Sequence, residues 1–328
     1  MTAAGQTTLA GVGYGRNRHT PLPKEGTREH RLRLTEWTAE RDCEEQMRQL
    51  GELAMQADWL KWDGVMRLDL SWNTVLYRLR PSELKFYLQA INNVAPTPAF
   101  LSRFIAVGVD PTCCLCCKAS ATLAHIVSNC QEALERYKWR HNEILRILHY
   151  YIGREVRRVC QKTLRPVKLK NKMTFVKAGQ AVSRGKREAM PSLLEQANDW
   201  HVTVDLPSMT YQFPRHIAVT QLRPDLVIWS DALKVVIMLE LTVPHEGGLT
   251  DANKRKAEKY AALRQECTDV GWRVELLPVE VGVFGHVGLS MQKACRMLGA
   301  WSKKMEDTLA EIALRCSYAV FVSRKPQH

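Results

Sequence analysis

No stretch of this 328-residue chain reaches the run of about 18 apolar residues that a membrane-crossing helix needs, so no membrane span is expected. The opening "MTAAGQTTLAGVGYGRNRHTPLPKEG" has no apolar core of the secretory type and reads as a flexible tail over residues 1–27. Without such a signal, the ten cysteines are expected in a reducing compartment, nucleus or cytoplasm, where clustered thiols bind metal more often than they pair. No internal repeat is present. Acidic residues are scarce in one window: from Arg154 to Arg187, twelve lysines and arginines stand against Glu155 alone. That window carries +11 of the formal charge of +13, and the rest of the chain is near neutral. Such a concentration points to a polyanion, most simply a nucleic-acid backbone, with Lys168, Lys170 and Lys172 at its centre. A solvated linker with no partner is the competing reading.

A composition of 45% hydrophobic and 25% charged residues is that of a globular protein, and the length suffices for two modest domains. Five cysteines, Cys43, Cys160, Cys267, Cys295 and Cys316, are scattered and read as ordinary buried thiols. The other five sit in "CCLCCKASATLAHIVSNC". Cys113 and Cys116 bracket a two-residue turn, His125 follows after eight intervening residues, and Cys130 after four more. Two thiolates on a knuckle plus a His and a Cys one turn apart close a tetrahedral zinc site with every position filled by protein, which makes the metal structural. Cys114 and Cys117 offer an alternative register; Cys113 and Cys116 are preferred because Leu115 then immediately precedes the second ligand.

Before the knuckle, residues 28–59 carry helix-like charge patterning, and Trp59, Trp62 and Trp72 read as core. "SELKFYLQAINNVAPTPAFLSRF" reads as helix, Pro-marked turn and helix. After it, "ALERYKWRHNEILRILHYYIGREVRRVC" has the apolar spacing of one amphipathic helix. The second half changes character. "HVTVDL", "DLVIWS", "KVVIMLELTV" and "RVELLPVEVG" read as strands. "DANKRKAEKYAALRQECTDVG" reads as a helix with a Gly stop, and "GLSMQKACRMLGAWSKKMEDTLAEIALRC" as one or two more.

Two of those strands contain acids. In "RPDLVIWSDALKVVIMLELTVPHE", Asp225 opens one apolar run and Glu240 interrupts the next. A buried carboxylate costs several kcal/mol unless it is compensated. A hairpin with these two acids brings two hard oxygen donors together at a sheet rim, which suits Mg²⁺ completed by water and substrate phosphate. This is the layout of PD-(D/E)xK nucleases, except that the position two residues after Glu240 holds Thr242 instead of lysine. Lys256 and Lys259, three apart on the next helix, share one face and are the substitute. A lysine there stabilises developing charge and orients the attacking water. The bland reading is a Pro-Asp turn, a satisfied buried Glu and a solvated helix face.

The order "CxxC…H…C", "WRHN", then "RPDLVIWSD…ELTVP…RKAEKY" resembles the C-terminal portion of non-LTR retrotransposon polyproteins that carry a restriction-like endonuclease, over roughly residues 55–320. The resemblance implies target-site DNA nicking, with DNA as partner and the element's RNA as a second candidate. It implies Cys113, Cys116, His125 and Cys130 as zinc ligands, and Asp225 and Glu240 as Mg²⁺-binding acids. Lys256 and Lys259 are then the displaced lysines, and Arg140 and His141 the Arg-His pair associated with DNA handling; from the residues alone, those two read as helix-surface positions. The departures are a missing Tyr/Phe-x-Asp-Asp-type cluster and too little length for a polymerase palm, so no RNA copying is expected. The chain then reads as a truncated copy, a fragment, or a descendant keeping the nuclease end.

The expected fold is α+β: a helical zinc-knuckle region over residues 28–150, a basic linker over 151–194, and an α/β PD-(D/E)xK-type nuclease core of about five strands over 195–328. The expected function is Mg²⁺-dependent DNA cleavage. The alternative is a non-catalytic nucleic-acid-binding remnant of the same element.

Overall fold

The computed structural model describes residues 27–53, 56, 58–62, 73–105, 107–161, 192–209 and 211–324. Trp72 and the lysines Lys168, Lys170 and Lys172 lie outside them, as does the basic window from Lys162 to Arg187. The chain divides into two compact units, residues 1–54 and 55–328. In the first, helix α1 (Thr27–Gly51) is rich in charge and exposes most of its side chains. Cys43 is among the exposed ones, contrary to its reading as a buried thiol, because this polar helix builds no apolar face around it.

In the second unit four strands form a mixed sheet: β1 (Trp200–Val204), β2 (Leu226–Ser230), β3 (Val235–Thr242) and β4 (Arg273–Glu280), in that order. β1, β2 and β3 are antiparallel neighbours and β4 runs parallel to β3. All four apolar runs are therefore strands; the fifth strand of the expected core is not found among the described residues. The β2–β3 turn is tight, with Lys234 at φ 51°. Asp199 braces it by accepting hydrogen bonds from the Ser230 hydroxyl (2.6 Å) and the Ala232 N–H (2.8 Å).

Strand side chains alternate in direction, so a strand buried on both faces is apolar almost throughout. β3 is such a strand. Its Val235, Ile237, Leu239 and Leu241 pack toward Ile144, Leu148 and Ile152 of α5 (Leu134–Cys160), and toward α8 (Leu289–Met297) and α9 (Lys303–Val322). Its Val236 and Met238 pack on the other side against Tyr260, Leu263 and Cys267. Each fully buried aliphatic side chain contributes roughly 1.5–3 kcal/mol, so this central strand anchors the fold. Glu240 lies on the second face, two residues beyond Met238.

The helix expected over Asp251–Val270 is interrupted. α6 (Leu249–Lys259) and α7 (Ala261–Asp269) meet at Tyr260, whose ring is fully buried and whose hydroxyl donates to the Arg223 carbonyl (3.0 Å). Seating that ring on the sheet accompanies the break, and Gly271 at φ 87° ends α7 as the stop signal implied.

The helical part comprises α2 (Asn73–Leu76), α3 (Pro81–Ile91), α4 (Pro98–Phe104), the knuckle and α5. Proline at the first turn of α3 and α4 and the Thr97 cap on the Phe100 N–H set the expected helix–turn–helix. Trp59 and Trp62 are half-buried, and Trp62 packs beside Phe284 and His286. α9 contributes Leu309 and Ala313 to the sheet core, and Ala310, Leu314 and Phe321 to the core under the knuckle. The boundary expected at residue 150 falls inside α5, whose end carries Arg154, Arg157 and Arg158. Among the described residues no helix is long and apolar enough to cross a membrane.

Candidate functional site

Two centres flank the middle of α5. In the first, Cys113 and Cys116 sit on a turn closed by Cys117 N–H to Cys113 carbonyl (2.8 Å), with Cys117 at φ 52°. His125 and Cys130 lie at the two ends of a π-helical turn, His125–Asn129. That turn explains the spacing: bonds from i to i+5 bring residues five apart to one side, and such turns gather at functional sites. The four ligand atoms lie within 4.8 Å of one another. Cys113 and Cys130 sulfurs are 3.9 Å apart, and Cys116 Sγ is 3.5 Å from His125 Nε2. Zinc–sulfur bonds of about 2.3 Å in a tetrahedron put sulfurs about 3.8 Å apart, so the donor set fits zinc in number, type and spacing. Backbone N–H groups of Lys118 and Ala119 draw the Cys116 thiol down to about 6, and burial pushes Cys130 up to about 11. The alternative register fails on geometry, since Cys114 and Cys117 are exposed and Cys114 Sγ turns to the Arg324 carbonyl (3.0 Å).

The second centre gathers Asp225 and Glu240, cross-strand neighbours one step before the Leu226–Leu239 pair. Each bonds to the other's strand. The Asp225 N–H donates to Glu240 Oε2 (3.1 Å), and the Leu241 N–H donates to Asp225 Oδ2 (2.7 Å). Glu240 is only 2% exposed, and its Oε1 receives Lys256 Nζ at 2.5 Å and Lys259 Nζ at 3.6 Å. Lys259 also lies over the Tyr260 ring and 3.0 Å from its hydroxyl. The two lysines, three apart on one face of α6, thus both reach Glu240. Thr242, at the position where a PD-(D/E)xK lysine is expected, has its hydroxyl buried with no hydrogen-bond partner among the described residues.

Arg140 and His141 require a correction. Both were expected on a helix surface, yet Arg140 is 1% exposed and the His141 side chain 24%. Arg140 faces inward because its side of α5 packs between the knuckle and α9. Its guanidinium donates to the Val127 carbonyl (2.8 Å), the Ser317 hydroxyl (3.1 Å) and the Val243 carbonyl (3.4 Å). Burial pulls its pKa down to about 10, and a direct grip on DNA by this side chain is not open to it. His141 Nε2 lies 3.2 Å from Asp225 Oδ2 and 3.3 Å from the Leu241 carbonyl. Burial disfavours its charged form, but the hydrogen bond and charge of Asp225 outweigh this and raise its pKa. His141 is therefore part of the acidic centre.

Three groups escaped the sequence reading. Glu246 is fully buried, accepts from the Phe284 N–H (2.6 Å), and is pushed up to about 8 by burial. A Cβ at Gly282 would sit 2.3 Å from Glu246 Oε1, so glycine is needed there. Burial likewise pushes nearby His286 down to about 3. Tyr211, half-buried on the acidic face with Arg223 over its ring (5.0 Å), has a buried hydroxyl without a hydrogen-bond partner among the described residues. A short acid, histidine or tyrosine in a loop has no spacing signal; only the fold reveals it.

No protein-family model matches the chain, and no curated protein matches it.

Proposed function

We propose that this protein is a metal-dependent DNA endonuclease, corresponding to the zinc-knuckle and restriction-like nuclease end of a non-LTR retrotransposon polyprotein. The observation carrying this reading is the pair Asp225 and Glu240 on one face of the β2–β3 hairpin, with two lysines of α6 directed at Glu240. The element order α5–β1–β2–β3–α6–α7–β4, antiparallel then parallel after a helical crossover, is compatible with a restriction-like core.

Asp225 and Glu240 are the residues that would hold Mg²⁺, and their oxygen donors suit so hard a cation. Bound there, Mg²⁺ supplies Lewis-acid polarisation of the phosphate and a more acidic water. His141 and the Leu241 N–H fix Asp225 in one orientation, leaving its Oδ1 without a donor from the described residues. Lys256 neutralises Glu240 in a site of low exposure and stands ready to hold charge developing on a phosphate. Lys259 lies farther out, at 46% exposure, where it meets the nucleic-acid backbone first. The basic window around Lys168, Lys170 and Lys172 adds affinity that is sequence-independent and weakened by salt. DNA is thus the leading partner.

One observation favours the alternative, a non-catalytic nucleic-acid-binding remnant: both oxygens of Glu240 already have partners, as in a self-satisfied structural network. Incubating the purified protein with supercoiled plasmid, in Mg²⁺ and in EDTA, separates the two. Nicked circles that appear only with Mg²⁺ are expected. A retarded but uncut plasmid in both conditions favours the remnant.

A further inference from the structure

We infer that Arg140 is a positioning residue that ties the geometry of the Asp225–Glu240 pair to the metal state of the knuckle. The mechanical link stands on contacts alone; its consequence for cleavage rests on the nuclease reading.

A buried cation is costly, several kcal/mol before compensation. The charge of buried Glu246 and the Tyr137 ring, 5.3 Å from the guanidinium carbon, offset part of it, while no salt bridge reaches Arg140 among the described residues. Its direct hydrogen bonds go to three fixed acceptors on three different parts of the fold. Val127 belongs to the π turn that carries His125 and precedes Cys130. Ser317 belongs to α9, which packs along α5. Val243 directly follows β3, two residues beyond Leu241.

The neighbours of Arg140 on α5 complete the connection. One turn earlier, the Tyr137 hydroxyl accepts from the Cys130 N–H (3.2 Å) and lies 2.8 Å from the Ile126 carbonyl and 3.1 Å from that of His125. One residue later, His141 touches Asp225 Oδ2 and the Leu241 carbonyl. The Leu241 N–H is itself a donor to Asp225. A single turn of α5 therefore grips backbone carbonyls of the metal-binding turn on one side and the acid-bearing strand end on the other. Helix and central strand are both packed solid, so a shift of residues 125–130 passes through the guanidinium to Val243 and the Leu241 amide. Arginine suits this because its planar fork spreads five donors in fixed directions and so reaches acceptors on three elements, whereas a lysine's three donors radiate from one compact point.

The test is Arg140→Met, which keeps the length of the stem and removes the donors, alongside Arg140→Lys and wild-type protein stripped with EDTA. Zinc content and the far-ultraviolet spectrum establish whether knuckle and fold are retained. Amide hydrogen exchange then reads the link directly. Leu241 is expected to exchange roughly tenfold faster or more in Arg140→Met and after stripping, while Val236–Leu239 in mid-strand stay protected. Plasmid nicking is expected to fall roughly tenfold or more in kcat, with KM for DNA little changed. Unchanged Leu241 exchange in zinc-loaded Arg140→Met overturns the inference. Faster exchange with no nicking by the wild type keeps the link and removes the nuclease reading. If Arg140→Met does not fold, Arg140→Lys and the stripped protein decide by the same Leu241 readout.

Discussion

The knuckle and the acidic centre sit on either side of α5, and they are built in opposite ways. The knuckle draws its donors from one short run, Cys113 to Cys130, and leaves them converging on one another. Thiols of that kind gain little from each other, so a metal is the natural stabiliser of the arrangement. The acidic centre draws from four elements between His141 and Lys259, and its members are already paired: acid with amide, acid with ammonium, acid with imidazole. Such a network stands without a metal. The first centre is therefore expected to depend on its cation for folding, and the second only for chemistry.

Breaking the knuckle should have the largest effect. His125→Ala is expected to lose about one equivalent of zinc and to destabilise the knuckle segment and the helices packed on it while the sheet core holds, since structural zinc contributes on the order of 10 kcal/mol in zinc-finger peptides. Metal analysis with circular dichroism checks this. Full zinc retention by the variant would remove the contrast.

On the acidic side, Lys256→Ala is expected to be worse than Lys259→Ala in both stability and nicking. Lys256 is nearer Glu240 and less exposed, and removing it leaves a buried carboxylate poorly compensated, at a cost of about 3 kcal/mol. Lys259 is nearly half-exposed, so its loss should cost under about 1 kcal/mol. Urea unfolding of the two variants tests the ranking, and the reverse order would contradict the site's geometry.

Between the two centres, Glu246 supplies a pH dependence. Its folded pKa of about 8 lies above the ordinary glutamate value of 4.5, so between those pH values the native state holds the extra proton. Its contribution to stability is fully present below pH 4.5 and is lost as pH rises through 8. Glu246→Gln mimics the protonated form and should flatten the fall in melting temperature between pH 6 and 8.5, a window set by that pKa. A variant falling as steeply as wild type would contradict the assignment.

The smallest effect is expected at Thr242. Its hydroxyl is buried without a partner among the described residues, so Thr242→Val should leave nicking unchanged and stability equal or higher by up to about 1 kcal/mol. A loss of nicking would mean that the hydroxyl touches substrate.

The same contrast explains what was legible from residues alone. The candidate metal ligands Cys113, Cys116, His125 and Cys130 and their register could be read because spacing fixes local geometry: a two-residue knuckle, then a His and a Cys at the ends of one turn. The β2–β3 hairpin was legible from two apolar runs, and with it the facing of Asp225 and Glu240, because side chains alternate. Arg140 and His141 were misread, since a helical repeat gives a residue's face but not what packs on it; α9 covers Arg140 from 177 positions away, at Ser317. The break at Tyr260 was hidden for the same reason: nothing in "KAEKYAAL" marks the carbonyl that its hydroxyl reaches. The buried Glu246 lies in a loop with no periodicity to betray it.

The central claim is that Asp225 and Glu240 serve chemistry and not only structure, and Asp225→Asn tests it most directly. This variant keeps the size of the side chain and removes the charge. The measurement is its Mg²⁺-dependent nicking rate on supercoiled plasmid, with DNA affinity determined on the same samples. The account predicts nicking reduced by about a thousandfold or more with affinity equal to or above that of wild type. Nicking at the wild-type rate, with affinity unchanged, would contradict it.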